Sequence, residues 1–487
     1  MTSDNREFET VIGLEIHVEL STETKIFCPC SAHSFGSEAN TNICPVCCGM
    51  PGAIPRLNRR VVEYGIKAAT LLSCHVNRDS AFDKKNYFYP DLPSGYQRTQ
   101  LYSPLAVNGY LEIDTDNGKK KIGIKQIHLE EDAGKLIHRE SHTLIDLNRS
   151  GVPLAEIVTK PDLSSGKEVE AFLDTLRRLL RYARISGAVM AKGELRCDVN
   201  LSVRPKGSAE HGTRVELKNM NSVEAIKKAV EYERERHINA ILNGETILPE
   251  TRGWDEERQV SYTMRSKENA ENYRYFPDCE IPPVHIDEEW LTAVQAELPE
   301  PPEVKKQKYA SDYGLSVSDA ARIAESIAFC ECFEAAAEIS GSPKDAVNWL
   351  TSEIAGELNA RRLSREDLPK MGKSLGETIL LLKSGRINRT GAREIVSKLF
   401  DIPDLNPKSY AETNDLILTV DEEKLNSVIA DVIASDPRSV SDYLDGKEKA
   451  LMALFGKCMK ALSGGCDPKI LREALTRAVE KMRPKND

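Results

Sequence analysis

The chain has 487 residues, a formal net charge of -10 and 40% hydrophobic residues, enough for roughly two to four domains with real cores. It contains no apolar run of about 18 residues, which excludes a helical membrane span, and its acidic balance argues against a protein dominated by nucleic-acid contact, DNA above all.

The start, MTSDNREFET, is polar and carries no signal-peptide pattern, so the expected compartment is the cytoplasm. The next stretch alternates strictly. As a strand, Leu14 to Leu20 places Glu15, His17 and Glu19 on one face and aliphatic side chains on the other. An acid-and-imidazole face is costly to bury unless water, a metal or a substrate meets it. Five of the twelve cysteines follow between Cys28 and Cys48. Cys28 and Cys30 form a CxC and Cys44 and Cys47 a CxxC. Two close pairs of thiolates suit a tetrahedral structural zinc site, and Cys48 leaves open which sulfur binds. The remaining cysteines are scattered and read as ordinary thiols, Cys330-Glu331-Cys332 being too weak a metal signal alone.

Lys84 and Lys85 then precede three aromatic residues, Tyr87, Phe88 and Tyr89. Bases or a terminal adenosine stack on such rings while lysines meet phosphate. Ile122 to Asp132 reads as a strand entering an acidic loop, with His128, Glu130, Glu131 and Asp132. A helix is predicted from about Gly166 to Arg184, with an apolar stripe of Val169, Phe172, Leu173, Leu176, Leu179 and Leu180. Leu195 to Arg204 alternates again, placing Arg196, Asp198, Asn200, Ser202 and Arg204 together. Arg214, Glu216 and Lys218 share a face in the next strand. A second helix is predicted from about Ser222 to Leu242, stopped by Asn243-Gly244. Acids gathered on one sheet face suit a hard cation such as magnesium. Interleaved Arg and Lys suit phosphates.

ELPEPPEVK, around 297–305, breaks the chain, and strand signals end there. Residues 306–400 read as successive helices, 401–415 as a second linker, and the remainder as helical. From Leu451 to Asp487, eight Lys or Arg stand against four Asp or Glu, a local +4 that leaves -14 for the rest. Gly372-Lys373-Ser374 ends like a P-loop, but Asp367 holds the required glycine position and no strand precedes it, so it is a decoy. There is no GxGxxG either. Any nucleotide must therefore sit on the polar sheet face. The fold class is α+β, a sheet-rich domain followed by an all-helical domain and a small helical tail.

VIGLEIHVEL, NYFYPDLPSGYQ, HLEEDAGKLIH, DLNRSGVPLAEIV, ELRCDVNLSVR, TRVELKNMNS and ETRGWDEE occur in the order found in the B subunit of the tRNA-dependent amidotransferase, and the chain resembles that family over nearly its whole length. The resemblance implies a cradle domain similar to glutamine synthetase and guanidino kinases (1–295), a helical domain (296–409) and a tRNA-binding tail (410–487). It implies a kinase-transamidase that uses ATP and magnesium to phosphorylate the side-chain carboxylate of misacylated Glu-tRNA(Gln) or Asp-tRNA(Asn), then amidates it with ammonia. The implied partners are a glutaminase A subunit, a small C subunit and the misacylated tRNA.

Motif by motif, the resemblance places magnesium on Glu15, His17, Glu131, Glu156 and Asp198, with Glu130 and Asp132 beside Glu131; an imidazole among them also suits manganese. Glu131, Lys85 and Asp198 are the expected catalytic groups. Lys84, Lys85, Arg196, Asn200, Arg204, Glu216 and Lys218 are expected to serve ATP phosphates or a second metal. Tyr87, Tyr89, Lys457, Lys460, Lys469 and Arg472 are expected to meet tRNA, with Ile470, Leu471 and Leu475 facing a small core. Two departures stand out: Ser94 and Arg98 replace the Lys and Ile of PDLPKGYQISQ, and Asp278-Cys279-Glu280 replaces the Glu-Pro-Asp of YRYFPEPDLPP. No Ser-Ser-Lys amidase region is present, so no glutaminase centre is expected in this chain. Two other classes compete: a non-catalytic scaffold for charged tRNA, which would show no nucleotide dependence, and a zinc-ribbon nucleic-acid binder, which the acidic strands disfavour.

Overall fold

The alternation at Leu14 belongs to a longer strand, Phe8–Glu19, whose Thr10, Ile12, Leu14, Ile16 and Val18 are buried while Glu15, His17 and Glu19 take the opposite face. This computed structural model describes residues 7–208, 210, 212–266, 273–418, 422–462 and 468–482. Two compact units emerge, Met1–Pro299 and Glu300–Asp487. In the first unit, Phe8–Glu19 is the middle strand of a nine-stranded sheet. The spatial order is Val260–Ser266, Glu250–Asp255, Val215–Lys218, Leu195–Pro205, Phe8–Glu19, Pro153–Thr159, Gly118–Glu131, Ala106–Thr115 and His75–Val76. All neighbours pair antiparallel except Val215–Lys218 with Glu250–Asp255.

The apolar face needs cover, and three helices supply it: Arg59–Leu71, Gly166–Tyr182 and Val223–Leu242. The predicted stripe on Gly166–Tyr182 is buried at Val169, Phe172, Leu173, Leu176 and Leu180, with Leu179 at its margin. Ser165 and Ser222 cap the last two helices, their side chains accepting from Glu168 N and Ala225 N. One face of the sheet is thereby committed to the core, and the other keeps the polar side chains. No helix among the described residues is long and apolar enough to cross a membrane.

An ionic knot fixes Val223–Leu242 to the sheet's far edge. Glu233, fully buried, accepts from Arg236 at 2.8 Å, lies 3.1 Å from Arg252 Nε and accepts from the Ser261 hydroxyl. Burial opposes its ionisation, but His237, Arg236 and Ser261 outweigh that and lower its pKa to about 2. A lowered folded-state pKa contributes stability above the ordinary carboxylate range, and that stability is lost as pH falls from about 5 towards 2. At neutral pH, Glu233→Gln should destabilise this unit by about 3 kcal/mol and flatten its acid unfolding in that window. Urea titrations of both forms at pH 7 and pH 4 measure this.

The second unit is all helix among its described residues, save one isolated bridge. Gly372-Lys373-Ser374 opens the helix Gly372–Lys383. A Cβ on Gly372 would come within 2.9 Å of the Cys332 carbonyl, so the glycine serves helix packing. The stretch expected as a linker contains a helix, Pro407–Thr413, started by Pro407 and by Asn406 accepting from Ser409 N. The tail helices Glu422–Ser435, Pro437–Leu444, Glu448–Ala461 and Pro468–Glu480 enclose their own core of residues such as Ile429, Leu454, Leu471 and Leu475. Ile470 departs from expectation. The buried stripe runs through Leu471, Leu475 and Val479, and Ile470 lies beside it, 38% exposed on the wall of a groove with Leu425, Ile429 and Val440.

Candidate active site

Sheet register assembles the site. Across four neighbouring strands, Arg196 pairs with His17, His17 with Glu156, and Glu156 with His128. Strands lie about 4.8 Å apart, so one residue from each strand makes a continuous polar row. Within it, His128 Nε2 is 2.9 Å from Glu156 Oε2, and His17 Nε2 lies 3.4 Å from both Glu156 and Glu130. Glu130 also sits 3.6 Å from His128 and accepts from the Thr99 hydroxyl at 3.1 Å. One step along, Glu15 pairs with Asp198, and Lys218 is ion-paired with Asp198 and, at 3.4 Å, with Glu216. Asn200 lies opposite both Gly13 and Glu216.

The charges are crowded. Burial, then the Glu156 carboxylate, pushes Glu15 up to about 7. Burial also opposes protonation of His17 and His128, yet hydrogen bonds and charge from Glu156 and Glu130 raise them to about 9 and about 10. The same imidazolium charges overcome burial to hold Glu156 well below the usual carboxylate range. Ligand atoms of Glu15, His17 and Glu156, and those of His128, Glu130 and Glu156, lie within 4.8 Å of one another. Octahedral coordination at about 2.1 Å places ligand atoms about 3–4 Å apart, so this donor set fits a divalent cation. The two imidazoles suit manganese as well as magnesium.

A smaller, three-stranded sheet formed by Asp83–Asn86, Tyr96–Thr99 and Phe276–Pro277 borders this face. Successive residues on Asp83–Asn86 diverge. Lys85 Nζ sits 5.6 Å from the Tyr87 ring and 4.9 Å from the Tyr273 ring, and it feels Glu130 and Glu156. Lys84 turns instead to Glu280, at 3.1 Å, and Asp278. Tyr87 meets Tyr273 edge-on at 5.8 Å, and Tyr273 meets Tyr275 at 6.2 Å. Tyr89 is exposed.

The structure thus brings together Glu15, His17, Glu156 and Asp198, with Arg196, Lys218, Glu216 and Asn200 alongside and Lys85 bordering them. Glu131 is set apart from the row. Glu130 shares the parity of His128, whereas Glu131, next along, accepts from the Arg98 backbone N–H at 2.9 Å. Burial pushes Glu131 up to about 6, with Arg98 opposing. Arg196 bonds Asp132 at 2.7 Å. Arg204 lies beside Glu9, about 27 Å along the strand from Arg196. Lys457 is ion-paired with Asp436, Lys460 and Arg472 are exposed, and the Lys469 side chain and Cys466 lie outside what is described. Sequence reasoning named His128 in its strand without giving it a role and left Glu130 secondary, although strand alternation joins them. It also missed Tyr273 and Tyr275, whose only signal is the YRYF run.

The four cysteines meet separately. The sulfurs of Cys28, Cys30, Cys44 and Cys47 lie within 4.8 Å of one another, and Cys44 and Cys47 are 3.9 Å apart. Tetrahedral zinc at about 2.3 Å from each sulfur requires about 3.8 Å between sulfurs, so the cluster fits. The Cys28 thiol, then the Cys44 backbone and the Lys25 charge, bring Cys47 down to about 4 against burial, which suits a thiolate ligand. The chain is expected to carry about one zinc under reducing, chelator-free conditions, and Cys44→Ser to lower that content; metal analysis showing none in the unaltered chain removes the assignment.

Comparison with known proteins gives consistent matches. Residues 10–292 match a family described as the GatB/GatE catalytic domain, and residues 331–479 one described as the GatB domain. The aspartyl/glutamyl-tRNA(Asn/Gln) amidotransferase B subunit of Carboxydothermus hydrogenoformans is 44% identical over 98% of this chain and 100% of that protein. Proteins of the same name from Lachnoclostridium phytofermentans, 44% identical over 97% of this chain and 99% of that one, and Clostridium tetani, 42% over 98% and 100%, are similar to the same extent.

Proposed function

We propose, from the premise that this chain belongs to the GatB/GatE family, that its polar sheet face activates and amidates the acidic side chain carried by a misacylated tRNA. The protein is a subunit of a tRNA-dependent amidotransferase, a carbon-nitrogen ligase with glutamine as amide donor. The finer reading is that ATP is the activating substrate, that Glu-tRNA(Gln), Asp-tRNA(Asn) or both are acceptors, and that a glutaminase A subunit and a small C subunit complete the enzyme in the cytoplasm. The cradle, helical and tail division at 295 and 409 belongs to the same proposal, as does structural zinc on the cysteine loop.

The observation that carries this reading is the row Arg196–His17–Glu156–His128, flanked by Glu15, Glu130 and Asp198. Glu15, His17, Glu130, Glu156 and His128 would hold the divalent cation, with Asp198 beside them. When bound, that cation supplies charge neutralisation and polarisation of phosphoryl oxygens. The chain's cations then orient the nucleotide: Lys218 exchanges Asp198 for phosphate, Arg196 borders the row, and Lys85, held among tyrosines, faces the transferring group. A side-chain carboxylate oxygen of the aminoacyl group attacks the γ-phosphorus and ADP leaves. Ammonia then attacks the acyl carbon, inorganic phosphate leaves, and Glu131 takes the released proton. Tyr87, Tyr273 and Tyr275 offer ring faces to the acceptor end.

The test uses the assembled enzyme. ATP hydrolysis should require misacylated tRNA, and the isolated chain should release no ammonia from glutamine. Amidation without nucleotide would return the chain to the scaffold reading, and glutaminase activity in the isolated chain would overturn the division of labour.

A further inference from the structure

Two departures from the family pattern, far apart in sequence, meet in space. Arg98 is 5% exposed, and its Nε donates to Asp278 at 2.8 Å while a terminal nitrogen donates to Glu280 at 2.7 Å. Its other terminal nitrogen lies 3.7 Å from Glu131, whose carboxylate also accepts the Arg98 backbone N–H at 2.9 Å. The neighbouring Gln97 side chain donates to the Glu131 carbonyl at 2.8 Å. Register completes the frame: Arg98 pairs with Lys84, Gln97 with Lys85, and Phe276 with Lys84. Lys84 shares two of Arg98's three acids, at 3.1 Å to Glu280 and 3.7 Å to Asp278.

A buried guanidinium with several carboxylate partners has little freedom, because leaving any of them uncompensated is costly. Its planar fork fixes direction as well as charge. We infer that Arg98 is a positioning residue that ties the Glu131 carboxylate to the strand carrying Lys85 and so aligns the amidation step. This rests on the function proposed above, in which Glu131 takes the ammonia-derived proton. An isoleucine at this position would keep the backbone N–H to Glu131 but offer none of the side-chain bonds, so the clamp is a feature of this chain, closed by Asp278 and Glu280.

The consequence is specific to one of two chemical steps. Phosphoryl transfer depends on the row centred on His17, which Arg98 does not touch, and on the Lys85 ammonium, which the Tyr87 and Tyr273 rings hold without Arg98. Loss of Arg98 leaves activation running while ammonia transfer slows, so activated carboxylate is lost to water and more ATP is consumed per amide formed. In the assembled enzyme with misacylated tRNA and ammonium chloride, Arg98→Met should lower amide formation about tenfold or more. KM for ATP should stay within about twofold, and the ratio of ADP to amide should rise several-fold. Arg98→Lys should recover part of the ratio, and Glu280→Gln, at the exposed end of the clamp, should shift it the same way by less. A structural role alone would lower both rates together at an unchanged ratio, and that result in the folded variants overturns the inference. If Arg98→Met fails to assemble, Arg98→Lys and Glu280→Gln decide by the same ratio. If the unaltered enzyme hydrolyses no ATP with tRNA, the functional reading fails instead.

Discussion

Glu156→Gln should lower tRNA-dependent ATP hydrolysis by the assembled enzyme at least ~10²-fold, while the partner's glutaminase activity, measured without tRNA, changes little. Glu156 is the residue shared by both groups of candidate cation ligands, and it bridges His17 and His128. The substitution nearly keeps shape and removes the charge. It also strips the two imidazoles of a carboxylate that both contact. Glu15→Gln and Asp198→Asn, one step along the face, should lose comparable activity. Arg204→Gln, at the other end of the strand beside Glu9, should stay near the unaltered rate. Full activity in Glu156→Gln would remove the row from the chemistry.

In the tail, Lys460→Gln combined with Arg472→Gln should raise the apparent KM for misacylated tRNA about tenfold and leave those for ATP and glutamine unchanged. Both side chains are exposed on helices whose apolar residues close a separate core, so neutralising them leaves packing intact. Contacts of this kind are mostly to phosphate, and each one lost should flatten the salt dependence of tRNA binding by about one unit of slope. Lys457 is a weaker candidate because Asp436 already engages it at 2.7 Å. Titrations at two salt concentrations measure both effects. Equal affinity and slope would make the basic tail an ordinary solvated surface.

What was legible in the sequence is what depends on period. Alternation at Glu15, His17 and Glu19 and at Arg196 to Arg204 named the strands and their polar face, and the stripe on Gly166–Tyr182 named the covering helix. Pairing was not legible. Nothing local says that Glu156 stands opposite His17, because antiparallel partners are chosen by the whole core. Glu130 and Glu131 show the finer limit. Both belong to one acidic run, and strand parity at the end of Gly118–Glu131 sends one to the histidines and the other to Arg98. Likewise Arg98 and Asp278 are odd residues in isolation, and their ion pair depends on a two-residue strand, Phe276–Pro277, that carries almost no signal of its own. The cysteine cluster was easier, since short spacings already hold each pair close.

A site spelled one residue per strand has no contiguous reading frame. Deleting a single codon between Leu14 and Val18 would turn the downstream side chains over, carrying a carboxylate or imidazole into the core and an aliphatic into the row. Substitutions at these positions can be graded, but a one-residue indel in any of the four strands is all-or-none. Length variation within the family should therefore collect in the turns, such as Thr115 to Gly118, and vanish from the four strands that cross the row.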